Sequence, residues 1–189
     1  GRRAGEIDLF DLVRAALRQR PQVLAVGEVR GAETFTLFQA MATGQACHST
    51  FHAGSVAALV RRLESPPIGL PRALLAALPI VVLQRSEWVG GRRVRRVAHL
   101  TEIEGIDPVG RELLASPVFT WNNGRDTWTY QGRSALLERA ARSRGVGAPD
   151  LVREMERRAR FLGALAALPS LTDAEFHHTL ARYRTDPES

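Results

Sequence analysis

Apolar positions along the first part of the chain switch between two periods. From Asp8 to Gln19, residues Leu9, Leu12, Val13, Ala16 and Leu17 recur at the spacing of one helix face. Asp8 is placed to cap that helix, Arg18 and Arg20 suit its negative end, and Pro21 stops it. The run Gln22–Val26 is short and continuously apolar after its first residue, the pattern of a strand covered on both faces. Gly-Glu-Val-Arg-Gly follows at 27–31, then a second helix from about Ala32 to Thr43, closed by Gly44. A second strand is expected over Ala46–Phe51, leading into His52, Ala53 and Gly54. Ser55 caps a helix running to about Glu64, Pro71 opens a short one, and Pro79–Gln84 is a third apolar strand. Strands and helices in this order predict an α/β fold: an open sheet covered by helices.

The pattern changes after Gln84. A Gly90-Gly91 turn precedes a long alternating segment, and Asn123-Gly124 stands between two strand-like runs, a strong hairpin signal. Glu87 to Tyr130 is therefore expected to form antiparallel strands at the edge of the parallel sheet. Ser134–Ser143, Pro149–Leu168 and Thr172–Tyr183 read as a helical tail, with Thr172 and Glu175 as a capping box. The expected divisions are 1–86, 87–132 and 133–185, with Thr185–Ser189 disordered. The chain opens on Gly1 rather than Met and enters a helical pattern almost at once, so a truncated start is expected.

Composition sharpens this picture in two places. All 26 basic residues are arginine. The phosphate-binding loop G-x-x-x-x-G-K-[ST] needs a lysine to reach the β- and γ-phosphates, so this sequence does not contain that loop. The net charge of +6 favours anionic partners such as phosphates, nucleic acid or an acidic membrane face. The plainer reading is arginine solvating helix surfaces, since only Arg92–Arg96 forms a dense run. The single cysteine, Cys47, excludes an internal disulfide and a cysteine metal cage, and fits a reducing compartment. The longest apolar run, Ala73–Leu83, is interrupted by Pro79 and is far short of the roughly 20 residues that span a bilayer.

Glu28 is the first candidate site residue. A carboxylate just after a buried strand lies at the sheet edge where open α/β folds bind ligands, and in nucleotide hydrolases such an acid holds magnesium beside the phosphates. Gly27 and Gly31 leave room for close approach. The competing reading pairs Glu28 with Arg30 in a turn. His52, in Ser-Thr-Phe-His-Ala, is the second candidate: a neutral imidazole at a strand end can hydrogen-bond a γ-phosphate or a water. His48 is read as a structural strand histidine. A zinc site shared with His52 is disfavoured, because the spacing separates the pair by about 13 Å along a strand. His177 and His178 are read as surface residues. Arg18, Arg20 and Arg30 can serve phosphoryl charge, within one subunit or across an interface, or form salt bridges to Glu6, Asp8, Asp11 or Glu33. No G-x-S-x-G elbow supports a nucleophilic serine.

Three blocks, LVRAALRQRPQVLAVGEVRG, TLFQAMATGQACHSTFHAGS and VRRLESPPIGLPRALLAALPIVVLQ, resemble the type II/type IV secretion ATPase superfamily. The nearest likeness is to its archaeal archaellum and type IV pilus branch. The resemblance implies the C-terminal portion of a RecA-like ATPase core, with Glu28 in the Walker B motif and His52 in the histidine box. It further implies ATP and Mg2+ as cofactors, Glu28 organising the ion through water, and Gly27, Arg18, Arg20 and Arg30 as nucleotide or intersubunit contacts. It implies a homo-hexamer in the cytoplasm, docked on a polytopic membrane platform at the inner face of the membrane, with no specific nucleic acid. Gln45 stands where the family usually has histidine, which puts a role for that position in doubt. The phosphate-binding loop and the acidic box of the family are absent from this sequence.

Three readings follow. The first is part of a hexameric ATPase motor that drives assembly of archaellum, type IV pilus or type II secretion filaments, inactive without its phosphate-binding loop. The alternative is a naturally short, non-hydrolysing subunit or platform-binding module. The third, ranked well below, is a nucleic-acid binder using Arg92, Arg93, Arg95 and Arg96.

Overall fold

In the computed structural model, which describes residues 6–185, the first helix starts where Asp8 can hold it. The Asp11 N–H donates to the Asp8 carboxylate at 3.0 Å and the Asp8 N–H donates back to Asp11 at 3.4 Å. That capping box opens α1 (Leu9–Arg18). After it come β1 (Val23–Val26), α2 (Glu33–Ala42), β2 (Ala46–Ser49), α3 (Val56–Glu64) and α4 (Arg72–Leu75). β1 and β2 pair in parallel, Val23 opposite Ala46 through Val26 opposite Ser49. Leu24 and Val26 turn inward and meet Val13, Val29 and Leu37 in one buried cluster.

β1 differs from the expectation of a strand covered on both faces. Val23 is 52% exposed and Ala25 is exposed, so only alternate side chains are buried. The physical reason is that α1 and α2 pack on one side of the pair, and among the described residues nothing covers the other. A second cluster lies beyond α2, where Phe38 meets Leu59, Leu63, Ile68, Leu70 and Leu75. Ser55 caps α3 as expected, its hydroxyl accepting the Ala58 N–H at 3.1 Å.

The remaining strands are β3 (Ile80–Val89), β4 (Arg92–Ile106), β5 (Leu113–Asn122) and β6 (Thr127–Tyr130), in one antiparallel sheet of order β3-β4-β5-β6. The third apolar strand therefore does not join β1 and β2. Its backbone finds a partner in β4 through the Gly90-Gly91 turn, where both residues have positive φ (54° and 76°). A tight hairpin closes a shorter loop than a crossover to the parallel pair, and the short closure wins. The fold is thus mixed α/β: a parallel pair, an antiparallel sheet and C-terminal helices.

The second hairpin forms, but not through a two-residue Asn-Gly turn. Asn122 pairs with Thr127, leaving four residues in the loop, and Asp126 takes the left-handed position at φ 49°. Its carboxylate accepts two bonds from Arg96, each 2.8 Å, and the Trp121 indole N–H at 2.9 Å. Arg96 first, and Trp121 after it, hold the Asp126 carboxyl down to about 2. A lowered folded value means the contribution is complete above the unfolded Asp range and is lost as pH falls through about 2. We expect the Asp126 carboxyl to titrate near pH 2 by heteronuclear NMR. A midpoint at about 4, the ordinary value, would show that the Arg96 fork does not persist in solution.

Two compact units divide the chain, Gly1–Leu136 and Leu137–Ser189. The first holds both sheets and the start of α5 (Ala135–Arg144). That start is capped from β4: buried Glu102 accepts the Ser134 hydroxyl at 2.5 Å and the Leu136 N–H at 3.1 Å. The second unit continues α5 into α6 (Ala148–Ala166) and α7 (Asp173–Thr185). The Thr172–Glu175 capping box is present, with the Thr172 N–H 2.8 Å from the Glu175 carboxylate. Phe161 and Tyr183 stack with ring centres 4.1 Å apart, yet neither α6 nor α7 has a fully buried residue. The expected disorder at the terminus falls, beyond Thr185, outside the described residues. No helix among the described residues is long and apolar enough to cross a membrane.

Candidate functional site

Because β1 and β2 run in parallel, the loops leaving their C-terminal ends emerge side by side. Two further bonds keep those loops together past the last strand residues. The Val29 N–H donates to the Thr50 carbonyl at 3.3 Å, and the Thr50 hydroxyl donates to the Gly27 carbonyl. Here the structure brings together Glu28 and His52, the two residues singled out by the sequence. Glu28 Oε1 lies 3.6 Å from His52 Nε2, with side-chain exposures of 41% and 84%. That separation is too long for a hydrogen bond, so the two groups stand adjacent without being locked to each other. The side chain beside the Glu28 carboxylate among the described residues is thus the His52 imidazole rather than the Arg30 guanidinium. β2 also stops earlier than expected, at Ser49, which puts His52 in the loop beyond the strand.

Two residues that the sequence reading did not select shape this edge. Arg62, on α3, donates to the His52 carbonyl at 3.2 Å and lies over the Phe51 ring at 5.3 Å. It fixes the backbone that carries the imidazole. Glu33 opens α2 and is buried; its carboxylate accepts the N–H of Arg30 at 2.7 Å and of Gly31 at 2.8 Å. A Cβ on Gly31 would sit 2.9 Å from Glu33 Oε2, so this contact requires glycine or a shift of the carboxylate. Burial pushes the Glu33 carboxyl up, but the N–H bonds from Arg30 and Gly31 outweigh it, and the net displacement is downward. The usable signal in the sequence was an acid two residues after a glycine at a helix start.

Glu33→Ala should cost about 2–3 kcal/mol, because it leaves two N–H groups of the Glu28 loop without their acceptor. Urea unfolding at neutral pH reads the loss directly. With the folded value lowered, the Glu33 contribution should be full above the ordinary Glu range and fade as pH falls through the folded value. An unchanged urea midpoint would contradict the assignment.

The other candidates lie elsewhere. Arg18 and Arg20 precede β1 whereas Glu28 follows it, so the strand separates them; Arg20 has a left-handed backbone with φ 50°. Arg30 is exposed beside Glu28 in sequence, and none of the three arginines forms an ion pair with a described residue. Gly27 has open space at its Cα. His48 is exposed on β2 opposite Ala25, and His177 and His178 lie on α7 in the other unit. Gln45 has a structural role. Its side-chain amide donates to the carbonyls of Pro21 at 2.9 Å and Gln22 at 3.3 Å, tying the starts of β1 and β2 together.

Among the described residues no three His, Cys, Asp or Glu side chains are clustered as a ready metal cage. Magnesium does not require one. It is commonly held by one or two carboxylates, with waters and substrate phosphates completing the octahedron. A single half-exposed Glu28 carboxylate at a strand end fits that manner of binding.

Comparison with known proteins bears on the same segment. Residues 2–90 match the family model described as Type II/IV secretion system protein. Over this segment the chain is similar to that family. An uncharacterized protein of Methanocaldococcus jannaschii is 43% identical over 157 residues, 83% of this chain and 58% of the relative. The type IV pilus assembly ATPase PilB of Pseudomonas aeruginosa is 34% identical over 142 residues, 70% of this chain and 24% of PilB. A putative conjugal transfer protein of Mycobacterium tuberculosis is 38% identical over 109 residues, 53% of this chain and 31% of the relative. The chain spans from about a quarter to three-fifths of the length of these relatives.

Proposed function

We propose that this chain is a non-hydrolysing, platform-docking module of a type II/IV secretion motor. The observation that carries the reading is the combination, in one family segment, of a formed Glu28–His52 edge with a sequence that has no lysine. The chain offers the groups that surround a nucleotide without the group that grips its phosphates. Its likeness to a pilus-assembly ATPase and a conjugal transfer protein supports a place in such a machine. In this reading the partner is the polytopic membrane protein on which the machine is built, at the cytoplasmic face.

The test is docking without turnover. Co-expressed with the platform protein of its own machine, the chain should co-purify with it after ATP has been removed. It should do so equally when Glu28→Gln and His52→Ala are combined. Association that needs ATP and both side chains would sink the module reading.

The 3.6 Å approach of Glu28 to His52 favours a second reading. In a longer protein that also supplies a phosphate-binding loop, the same edge would belong to a RecA-like, hexameric ATPase of the archaellum or type IV pilus kind. There Glu28 would hold Mg2+ through water, His52 would report the γ-phosphate, and Gly27, Arg18, Arg20 and Arg30 would contact nucleotide or a neighbouring subunit. ATP hydrolysis would then drive filament assembly.

A further inference from the structure

β5 last pairs with β4 where His99 meets Thr120, but β3 and β4 continue together to the Gly90-Gly91 turn. Residues 84–97 therefore extend past the last β4–β5 pair as a two-stranded ribbon, tied on one face to the β5–β6 hairpin through Glu87, Arg96 and Val97. Directly opposed residues share a face. Trp88 opposes Arg93 and Ser86 opposes Arg95, and all four side chains are exposed, Trp88 to 70%. On the other face the carboxylates are occupied. Asp126 takes the Arg96 fork, and Glu87 binds Arg85 at 3.4 Å and the Asn123 amide at 2.6 Å. Arg92, Arg93 and Arg95 have no ion pair with a described residue; Arg93 donates to the Ser86 hydroxyl at 2.9 Å.

This face of the tip joins an indole left in water to the guanidinium groups of Arg93 and Arg95. We propose that it is a membrane-surface contact: Trp88 seats at the headgroup level of an anionic bilayer while Arg93 and Arg95, on the same face, bind lipid phosphates. An indole is favoured at that depth because its ring is apolar and its N–H is polar. Guanidinium groups take phosphate oxygens in pairs, and each basic residue near an anionic surface contributes on the order of a fivefold gain in partition. Nucleic acid fits less well. Single-strand binders line a groove with successive aromatic rings, whereas this is a narrow tip with one indole. In a duplex the bases are already stacked, leaving that indole no partner. The inference names a lipid contact beyond the platform docking proposed above, and it does not rest on that reading.

Vesicle flotation of the 189-residue chain tests it. Mixed phosphatidylcholine–phosphatidylglycerol vesicles should carry the chain up, phosphatidylcholine alone should not, and added salt should release it. Arg93→Ala and Arg95→Ala should each lower partition about fivefold, and Trp88→Ala about tenfold. Trp88→Phe should restore most of the loss. A blue shift of tryptophan emission on binding should be largely lost in Trp88→Ala, since Trp121 is already buried and the half-exposed Trp128 holds its indole N–H on the Val97 carbonyl at 2.8 Å. Unchanged circular dichroism separates these losses from misfolding. Combined Glu28→Gln and His52→Ala should leave partition unchanged, so failure of the motor reading and failure of this one are distinguishable. Partition indifferent to Trp88, Arg93 and Arg95 would overturn the proposal. So would release by inorganic phosphate at fixed ionic strength, or tighter retention by DNA than by anionic vesicles through the same residues.

Discussion

Incubated with magnesium and ATP, the 189-residue chain should release no phosphate above the buffer blank. Phosphoryl transfer leaves little covalent work for a protein; the rate comes from holding the γ-phosphoryl group and neutralising its charge. A single positioned donor is worth about 100- to 1,000-fold in acyl transfer, and the phosphate-binding loop supplies a whole cradle plus a lysine. With no lysine in the sequence, that contribution cannot come from this polypeptide. Glu28 and His52, adjacent at 3.6 Å, offer a carboxylate and an imidazole but no cation to grip the phosphates. Phosphate release by a colorimetric assay is the measurement. Turnover that disappears on Glu28→Gln would show that the chain is an enzyme by itself.

In a longer protein that joins these residues to a phosphate-binding loop, Glu28→Gln should lower ATP turnover by about 100-fold or more. The substitution keeps the shape of the side chain and removes its charge. Magnesium is a hard cation that favours anionic oxygen, so a neutral amide orders the ion and its waters poorly. Binding of a fluorescent ATP analogue should change little, because the phosphates are gripped elsewhere. His52→Ala should have the smaller effect, about tenfold, since it removes a hydrogen-bonding group rather than the carboxylate that would hold the ion. Native turnover in the Glu28→Gln protein would remove Glu28 from the site.

Local signals in the sequence were strong wherever the governing contact is local. The Asp8, Ser55 and Thr172 caps were legible because each acts within three residues. So was the Gly90-Gly91 turn, where glycine alone meets positive φ without strain. Glu28 and His52 were legible as strand-end groups, though not their 3.6 Å approach, which depends on β1 and β2 lying side by side. The start of α5 at Ser134 was legible, but not its tie to β4: the acceptor for the Leu136 N–H is Glu102, thirty-four residues earlier. β3 was assigned to the wrong sheet because a short apolar run has no period that separates a central strand from a hairpin arm. Its pairing partner, not its composition, decided the matter.

The sole thiol gives the site a built-in clock. Cys47 lies half-buried on β2 opposite Leu24, and burial raises its thiol above the ordinary range. Only the thiolate alkylates, so partial burial and the raised thiol slow modification at neutral pH. Glu28 and His52 hang from the ends of those same two strands. A nucleotide, ion or partner that tightens their edge should slow labelling of Cys47 in proportion to how firmly it is held.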